Sequence, residues 1–250
     1  MNWLQRHWDA RAATNFMLGG AGSGLMVATS FAGTQSPWPV MVSLALVAAG
    51  LGAVWLEIGR KLRAAHVLFN PFTSWMTRES FAALLLFPLG IGSVFVPAAL
   101  PFAAAAALVF LWCQARILRA AKGIPAWRAP QIVPLIVCTG LAEGAGVALF
   151  FSGDHLLVVF FALAVAARFV AWRRYRAAVP GDALVPAGRA LAWIGTVAAV
   201  ALLIVPPVAG LAALAAGWWL KLALVTRASF NQGFALPHLP VRGTRSGASP

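Results

Sequence analysis

The chain has little of what a soluble domain needs. Only 10% of its 250 residues are charged and only six are acidic, while 61% are hydrophobic. Ordinary globular chains are about a quarter charged and roughly half apolar. Two cysteines, Cys113 and Cys138, lie in separate apolar runs without CxxC spacing. That excludes a disulfide framework and a zinc or iron–sulfur site within the chain; both read as small packing residues. The four histidines, His7, His66, His155 and His238, all fall outside the apolar run centres. Haem b held by two histidines needs axial ligands on facing helices, so no haem is expected. Gly-rich phosphate loops, metal-ligand spacings and Ser/His/Asp sets are not visible.

What is present is a series of long apolar runs. The mean hydropathy is +0.84, and a span needs roughly 17–25 mainly apolar residues. Eight runs meet this: Asn15–Gly33, Trp38–Ile58, Ser80–Val96, Ala98–Ala115, Val133–Gly153, Leu156–Trp172, Ala190–Pro206 and Val208–Val225. They are continuous and not alternating, which favours helices over a barrel. The expected fold is therefore all-α, an eight-helix polytopic membrane protein in a lipid bilayer. Tight turns are expected near Pro97 and at Pro206-Pro207. The first run follows a charged, Trp-containing leader and is long enough to span, so no cleavable signal is expected.

The net charge of +13 comes from 19 Lys and Arg against the six acids. A nucleic-acid binder would carry such charge on a solvated face of a packed core; here it falls in loops, and no nucleic-acid partner is expected. One set of connections holds Arg6, Arg11, Arg60, Lys61, Arg63, Arg78, Arg116, Arg119, Lys122, Arg128, Arg173, Arg174, Arg176, Arg189, Arg227, Arg242 and Arg245. The opposite set (Thr34–Pro37, Pro97, Asp154–His155, Pro207) holds no Lys or Arg. By the positive-inside rule both termini and the long loops face the cytoplasm, in a bacterial inner membrane. Arg168 is expected in the last turn of the sixth span, near that same face.

Two halves are discernible, residues 1–130 and 131–236, followed by a Pro/Gly/Ser/Arg-rich tail over 237–250 expected to be flexible. Arg60-Lys61-Leu62-Arg63-Ala64-Ala65 after the second run is echoed by Arg173-Arg174-Tyr175-Arg176-Ala177-Ala178 after the sixth. Arg119-Ala120-Ala121 is loosely matched by Arg227-Ala228-Ser229. A parallel four-plus-four repeat would produce this; basic residues after a span also occur without one. Glycines crowd the first run (Gly19, Gly20, Gly22, Gly24) and the fifth (Gly140, Gly144, Gly146). They suit either close helix contact or room for a flat ligand between helices.

Polar residues at membrane depth are candidates for chemistry. Glu143 stands alone mid-run and is a candidate proton relay, with Lys221 of the eighth run as its structural partner on the plainer reading. Lys221 follows Trp218-Trp219 near the basic end of its run, where snorkelling is the expected role. Glu57 has Arg60 and Lys61 within one turn and reads as a local ion-pair partner. Glu79 and Arg78 open the third run, after a loop carrying His66, Asn70, Pro71, Ser74 and Trp75. His66 exchanges a proton near neutral pH, which a nearby carboxylate would tune; a loop histidine is also often simply solvated.

Asn70-Pro71-Phe72-Thr73-Ser74-Trp75-Met76-Thr77-Arg78-Glu79 resembles the loop between spans two and three of quinone-reactive membrane subunits of molybdopterin oxidoreductases, the anchors of the dimethyl-sulfoxide, polysulfide and nitrite reductase type. Asn15-Phe16-Met17-Leu18-Gly19-Gly20-Ala21-Gly22 resembles the start of their first span. The resemblance implies a haem-free anchor for an iron–sulfur electron-transfer subunit and a molybdopterin catalytic subunit, exchanging electrons with menaquinone or ubiquinone. It further implies quinone binding and proton exchange at His66 and Glu79, with Arg63 or Arg78 stabilising developing oxyanion character. Val67-Leu68-Phe69 departs from that pattern, which tends to have glycine soon after the histidine. Arg227-Ala228-Ser229-Phe230-Asn231-Gln232-Gly233-Phe234, with Leu236-Pro237-His238-Leu239-Pro240 beyond, is similar to the membrane subunit of phenylacetyl-CoA:acceptor oxidoreductase, which implies an acyl-CoA-oxidising partner. The competing readings are a secondary transporter, which the four-plus-four echo and Glu143 would suit, and a purely structural anchor.

Overall fold

A computed structural model describes residues 3–5, 8–32, 36–57 and 66–231. Arg63, the expected tail over 237–250 and most of the Arg227–Pro240 similarity beyond Asn231 lie outside the described residues.

The described chain is helical apart from one two-residue pairing. After β1 (Trp3–Leu4), helix α1 occupies residues 10–29 as Ala10–Thr14, a π-helical turn Asn15–Gly19, and Gly20–Thr29. Then follow α2 (Trp38–Glu57), α3 (Trp75–Phe95), α4 (Leu100–Ala120), the single turn α5 (Pro125–Arg128), α6 (Ile132–Ala148) and α7 (His155–Ala178). Helix α8 occupies residues 185–204 as Val185–Ala192, a π turn Trp193–Ala198, Ala199–Ala201 and a 3-10 turn Leu202–Ile204; α9 (Pro206–Thr226) and β2 (Phe230–Asn231) close the described chain.

Over its described residues each expected apolar run lies mainly in one of these helices, the fifth running on past Ala148. Among the described residues five, α2, α3, α4, α7 and α9, are long and apolar enough to cross a membrane. The eight-span expectation is met to that extent. Helices α6 and α8 are apolar but shorter by that measure, and α1 and α8 are interrupted by their π turns. Large apolar side chains on the helix exteriors, such as Leu84, Phe95, Phe102, Leu156, Leu163 and Trp193, are exposed. In water that outward apolar surface would be costly; it suits hydrocarbon.

Helix ends differ from the expected boundaries for local reasons. Helix α3 begins at Trp75, five residues before Ser80, because the Ser74 hydroxyl accepts the Thr77 backbone N–H at 3.3 Å and caps the first turn. Proline caps the start of α9, where it lacks only an N–H that the helix would leave free. Helix α7 runs past Trp172 to Ala178, so Arg168 lies about 15 Å short of its end at 1.5 Å per residue. The expectation that Arg168 sits in the last turn is corrected: a polar, Arg-rich stretch continues the helix.

Helix α1 packs along α2, α4 and α6, while α6 packs along α7, α9 and α1. Helices α3 and α4 form one hairpin, α8 and α9 another, and α4 contacts α6 as α9 contacts the start of α1. Each pairing within and from the first four long helices has its counterpart in the second four. At the central α1–α6 crossing, Gly24 lies against the Gly140 carbonyl and Gly144 against the Gly24 backbone, so closely that a Cβ on either would collide with main chain. Gly22, Gly24, Gly144 and Gly146 thus allow close backbone contact, whereas Gly19 and Gly20 stand against side chains of neighbouring helices.

The first and last described segments meet. Trp3–Leu4 pairs antiparallel with Phe230–Asn231, and the Gln5 backbone N–H donates to the Ser229 carbonyl at 3.0 Å. The Gln5 amide adds bonds to the Trp8 and Val225 carbonyls. Around this junction lies a core of Phe16, Leu118, Trp127, Tyr175, Leu191 and Leu224. The Trp127 indole N–H donates to the Leu224 carbonyl at 3.0 Å and the Tyr175 hydroxyl to the Ala126 carbonyl at 2.9 Å. Arg78 and Arg116 lie 4.2 and 4.3 Å from the Trp75 ring centroid. The start of α3 and the Arg116 turn of α4 thereby converge on Trp75.

Candidate functional site

Two clusters of buried polar side chains flank α1. The first joins α1, α3 and α4. The Asn15 amide donates to Glu79 Oε1 at 3.3 Å, and the Gln114 amide donates to the Asn15 carbonyl at 3.0 Å while also bearing on the Glu79 carboxyl. All three side chains are buried. The π turn explains the second bond: widening the helix at Asn15–Gly19 withdraws carbonyls from the regular ladder, and a side chain from α4 takes one of them. Asn15 Oδ1 and Gln114 Oε1 keep no hydrogen-bond partner. A Cβ on Gly19 would meet Gln114 Nε2 at 2.5 Å, so glycine is what lets the amide reach the helix.

The second cluster joins α6, α7 and α9. Lys221 Nζ donates to Glu143 Oε2 at 2.5 Å, with both side chains wholly buried. Arg168, also wholly buried, donates to the Ala213 carbonyl at 2.7 Å and to the Gly195 carbonyl. The latter belongs to the π turn of α8, so again a π turn's carbonyl is taken by a polar side chain from a neighbouring helix. Arg168 lies close enough to Glu143 for their charges to interact. Glu143 Oε1 and Arg168 Nε lack partners. Gly20 faces Lys221 Nζ and Gly217 faces Glu143 Oε1, each too closely for a side chain.

Lys221 does not snorkel. Its ammonium is drawn inward because Glu143, buried on α6, offers a partner that an isolated apolar helix would not. The plainer reading of Glu143, a partnership with Lys221, is what the geometry shows. In each half, then, a buried polar contact joins the first and fourth helices, and a third helix adds a charged residue, Glu79 or Arg168.

The remaining site residues sit at the basic end. His66 is exposed, in a 3-10 turn over 66–69, with its ring 5.6 Å edge-on from Phe69. Its next residue, Val67, accepts a hydrogen bond at its carbonyl from the Thr77 hydroxyl, which ties the loop to the first turn of α3 two residues before Glu79. Arg78 donates from Nε to the Pro71 carbonyl at 2.8 Å and from Nη2 to the Phe72 carbonyl at 2.6 Å. With those groups committed and its plane on Trp75, Arg78 is first a clamp on the loop. His66 and the helix of Glu79 are thus tied through the Val67 carbonyl and the Thr77 hydroxyl. Asn15, Gln114, Ser23 and Arg168 are the polar residues that sequence reasoning did not single out as site residues. A lone Gln beside Cys113 in an apolar run was the available signal.

No protein-family model matches the chain, and no curated protein matches it.

Proposed function

We propose that the chain is the quinone-reactive membrane subunit of an oxidoreductase complex, embedded through eight helices in the bacterial inner membrane with both termini cytoplasmic. The observation that carries the reading is the buried Asn15–Glu79–Gln114 cluster at the basic helix ends. The eight-span topology draws support from the β1–β2 pairing: Trp3–Leu4 and Phe230–Asn231 on one face require an even number of crossings between them, which five helices alone would not give. The matching helix contacts of the two halves support a duplicated four-helix unit.

The donor set suits a quinone. A quinone accepts hydrogen bonds at its carbonyls and a quinol donates from its hydroxyls. Amides and a carboxyl can serve both, an amide by presenting either its oxygen or its nitrogen. Asn15 Oδ1 and Gln114 Oε1 are acceptors without a present partner. The quinone supplies two-electron, two-proton redox chemistry. Glu79 holds and delivers a proton at its carboxyl, Asn15 and Gln114 fix the head group's orientation, and His66 exchanges protons between the site and the aqueous face. Arg78 anchors the loop that carries His66, and Arg63 is the further cation near it in sequence. The basic face is the docking side for an iron–sulfur subunit and a molybdopterin catalytic subunit. An acyl-CoA substrate of the phenylacetyl-CoA kind would be reached there, being cytoplasmic.

The alternative is a secondary transporter, for which the duplicated contact pattern speaks. Broken helices in matching positions would be expected of it, whereas the π turns fall in α1 and α8, which do not correspond between the halves. The test is the intact complex with His66→Ala and Glu79→Gln combined. Quinone-linked turnover should fall while turnover with an artificial electron carrier persists. Unchanged quinone-linked turnover would refute the site.

A further inference from the structure

Seven buried side-chain polar atoms among the described residues have no hydrogen-bond partner, and five of them lie in the two clusters or on the helix between them: Asn15 Oδ1, Gln114 Oε1, Ser23 Oγ, Glu143 Oε1 and Arg168 Nε. Buried polar atoms are nearly always satisfied, by protein or by internal water. Their concentration in and between the two clusters calls for a common explanation.

Position supplies it. The clusters touch consecutive residues of α1: Gly19 faces Gln114 and Asn15, and Gly20 faces Lys221 and Glu143. Adjacent Cα atoms are 3.8 Å apart, so Gln114 Nε2 and Lys221 Nζ are separated by no more than about 12 Å. Ser23 lies four residues beyond Gly19 and three beyond Gly20, on the face shared with both. It is wholly buried. At this glycine pair α1 itself places no side chain between the two clusters.

Charge supplies the reason for traffic. The second cluster holds two cationic side chains against one carboxylate, all wholly buried. Arginine does not give up its proton, and Arg168 is pinned by two carbonyls. Lysine does give up a proton when buried, and a neutral amine still donates to Glu143. Two states therefore exist, one proton apart, with net charge +1 or zero and the same hydrogen bond. Among the described residues Arg168 of α7 is the further titratable group that bears on the pair; α1 presents Gly20 to it, Gly195 of α8 faces Arg168, and on α4 Cys113 faces Glu79.

We propose that Glu143–Lys221 is a proton-exchange site inside the helix bundle, joined to Glu79 at the basic end by water held along Asn15, Gln114 and Ser23. A proton leaving the Glu79 carboxyl is passed along this water and taken by the Lys221 amine, which becomes an ammonium paired with Glu143. The return step reverses it, and no electron moves. The inference stands apart from quinone binding, since it needs only proton exchange at Glu79.

Hydrogen–deuterium exchange followed by infrared spectroscopy on the purified full-length chain tests it. The Glu143 carboxylate band, assigned by its loss in Glu143→Gln, shifts when the Lys221 protons become deuterons. In the wild type this shift should outpace exchange of the helix-core amides. Ser23→Ala should slow it by about a hundredfold, the low end of what a positioned proton-transfer group contributes, and Ser23→Thr should restore it. Because the Ser23 hydroxyl has no partner, its loss leaves no protein group unpaired. Asn15→Leu provides a second interruption should Ser23→Ala not fold. Exchange as fast in Ser23→Ala or Asn15→Leu as in the wild type would overturn the proposal, as would a wild-type pair no faster than the core amides.

Discussion

Lys221 Nζ stands 2.5 Å from Glu143 Oε2, and neither side chain touches solvent. A buried pair of this kind is weak evidence of net stabilisation, yet breaking it from one side is costly because it strands a charge. Arg168 makes the two sides unequal. Removing Glu143 leaves two cations without a counter-charge, whereas removing Lys221 leaves Glu143 facing Arg168.

Glu143→Gln should therefore destabilise the fold by about 3–5 kcal/mol, the usual effect of stranding a buried charge. Lys221→Met should cost clearly less, and the double variant should recover part of the Glu143→Gln loss. Thermal unfolding in detergent measures all three. Equal losses for the two single variants would show that Arg168 does not share Glu143.

The α1–α6 crossing predicts a different kind of sensitivity. An alanine Cβ at Gly24 or Gly144 would strike main-chain atoms, which cannot rotate away. Either Gly→Ala change should cost about 1–3 kcal/mol, as overpacking does. Gly52 and Gly92 face open space, and alanine there should be tolerated in the same unfolding assay.

Asp9 caps α1, its carboxylate accepting the Arg11 backbone N–H at 2.7 Å. That bond, with the Arg11 charge beside it, holds the carboxyl below its ordinary value of 3.8. A depressed carboxyl contributes stability above its unfolded value and loses it as pH falls through the folded one. Amide exchange in residues 10–13 should thus quicken only below about pH 3.8. In Asp9→Asn the same amides should show no such step.

The helices were legible because unbroken apolar runs leave little choice of structure in lipid. Their capped ends were less so: the apolar pattern starts at Ser80, but the Ser74 cap sets the helix start at Trp75. Glu143 was legible as an isolated carboxylate in an apolar run. Lys221 carried two readings; its pairing with Glu143 is what forms, while snorkelling, judged from its own helix alone, failed because that partner lay 78 positions away. The Asn15–Gln114 bond was hidden for a related reason. It depends on a π turn freeing a carbonyl, and nothing in the pattern of apolar residues marks that turn. His66 was placed correctly in a loop beside α3, but its tie to the helix runs through the Thr77 hydroxyl and a backbone carbonyl.

Binding of a fluorescent quinone analogue to the purified chain tests the Asn15–Glu79–Gln114 cluster most directly. Binding should be saturable and weakened by about tenfold or more in Glu79→Gln and Gln114→Leu, or at least about 1.4 kcal/mol, with Gly92→Ala unaffected. Saturable binding that is unchanged in both cluster variants, or no saturable binding to a folded chain, would contradict quinone binding at this cluster.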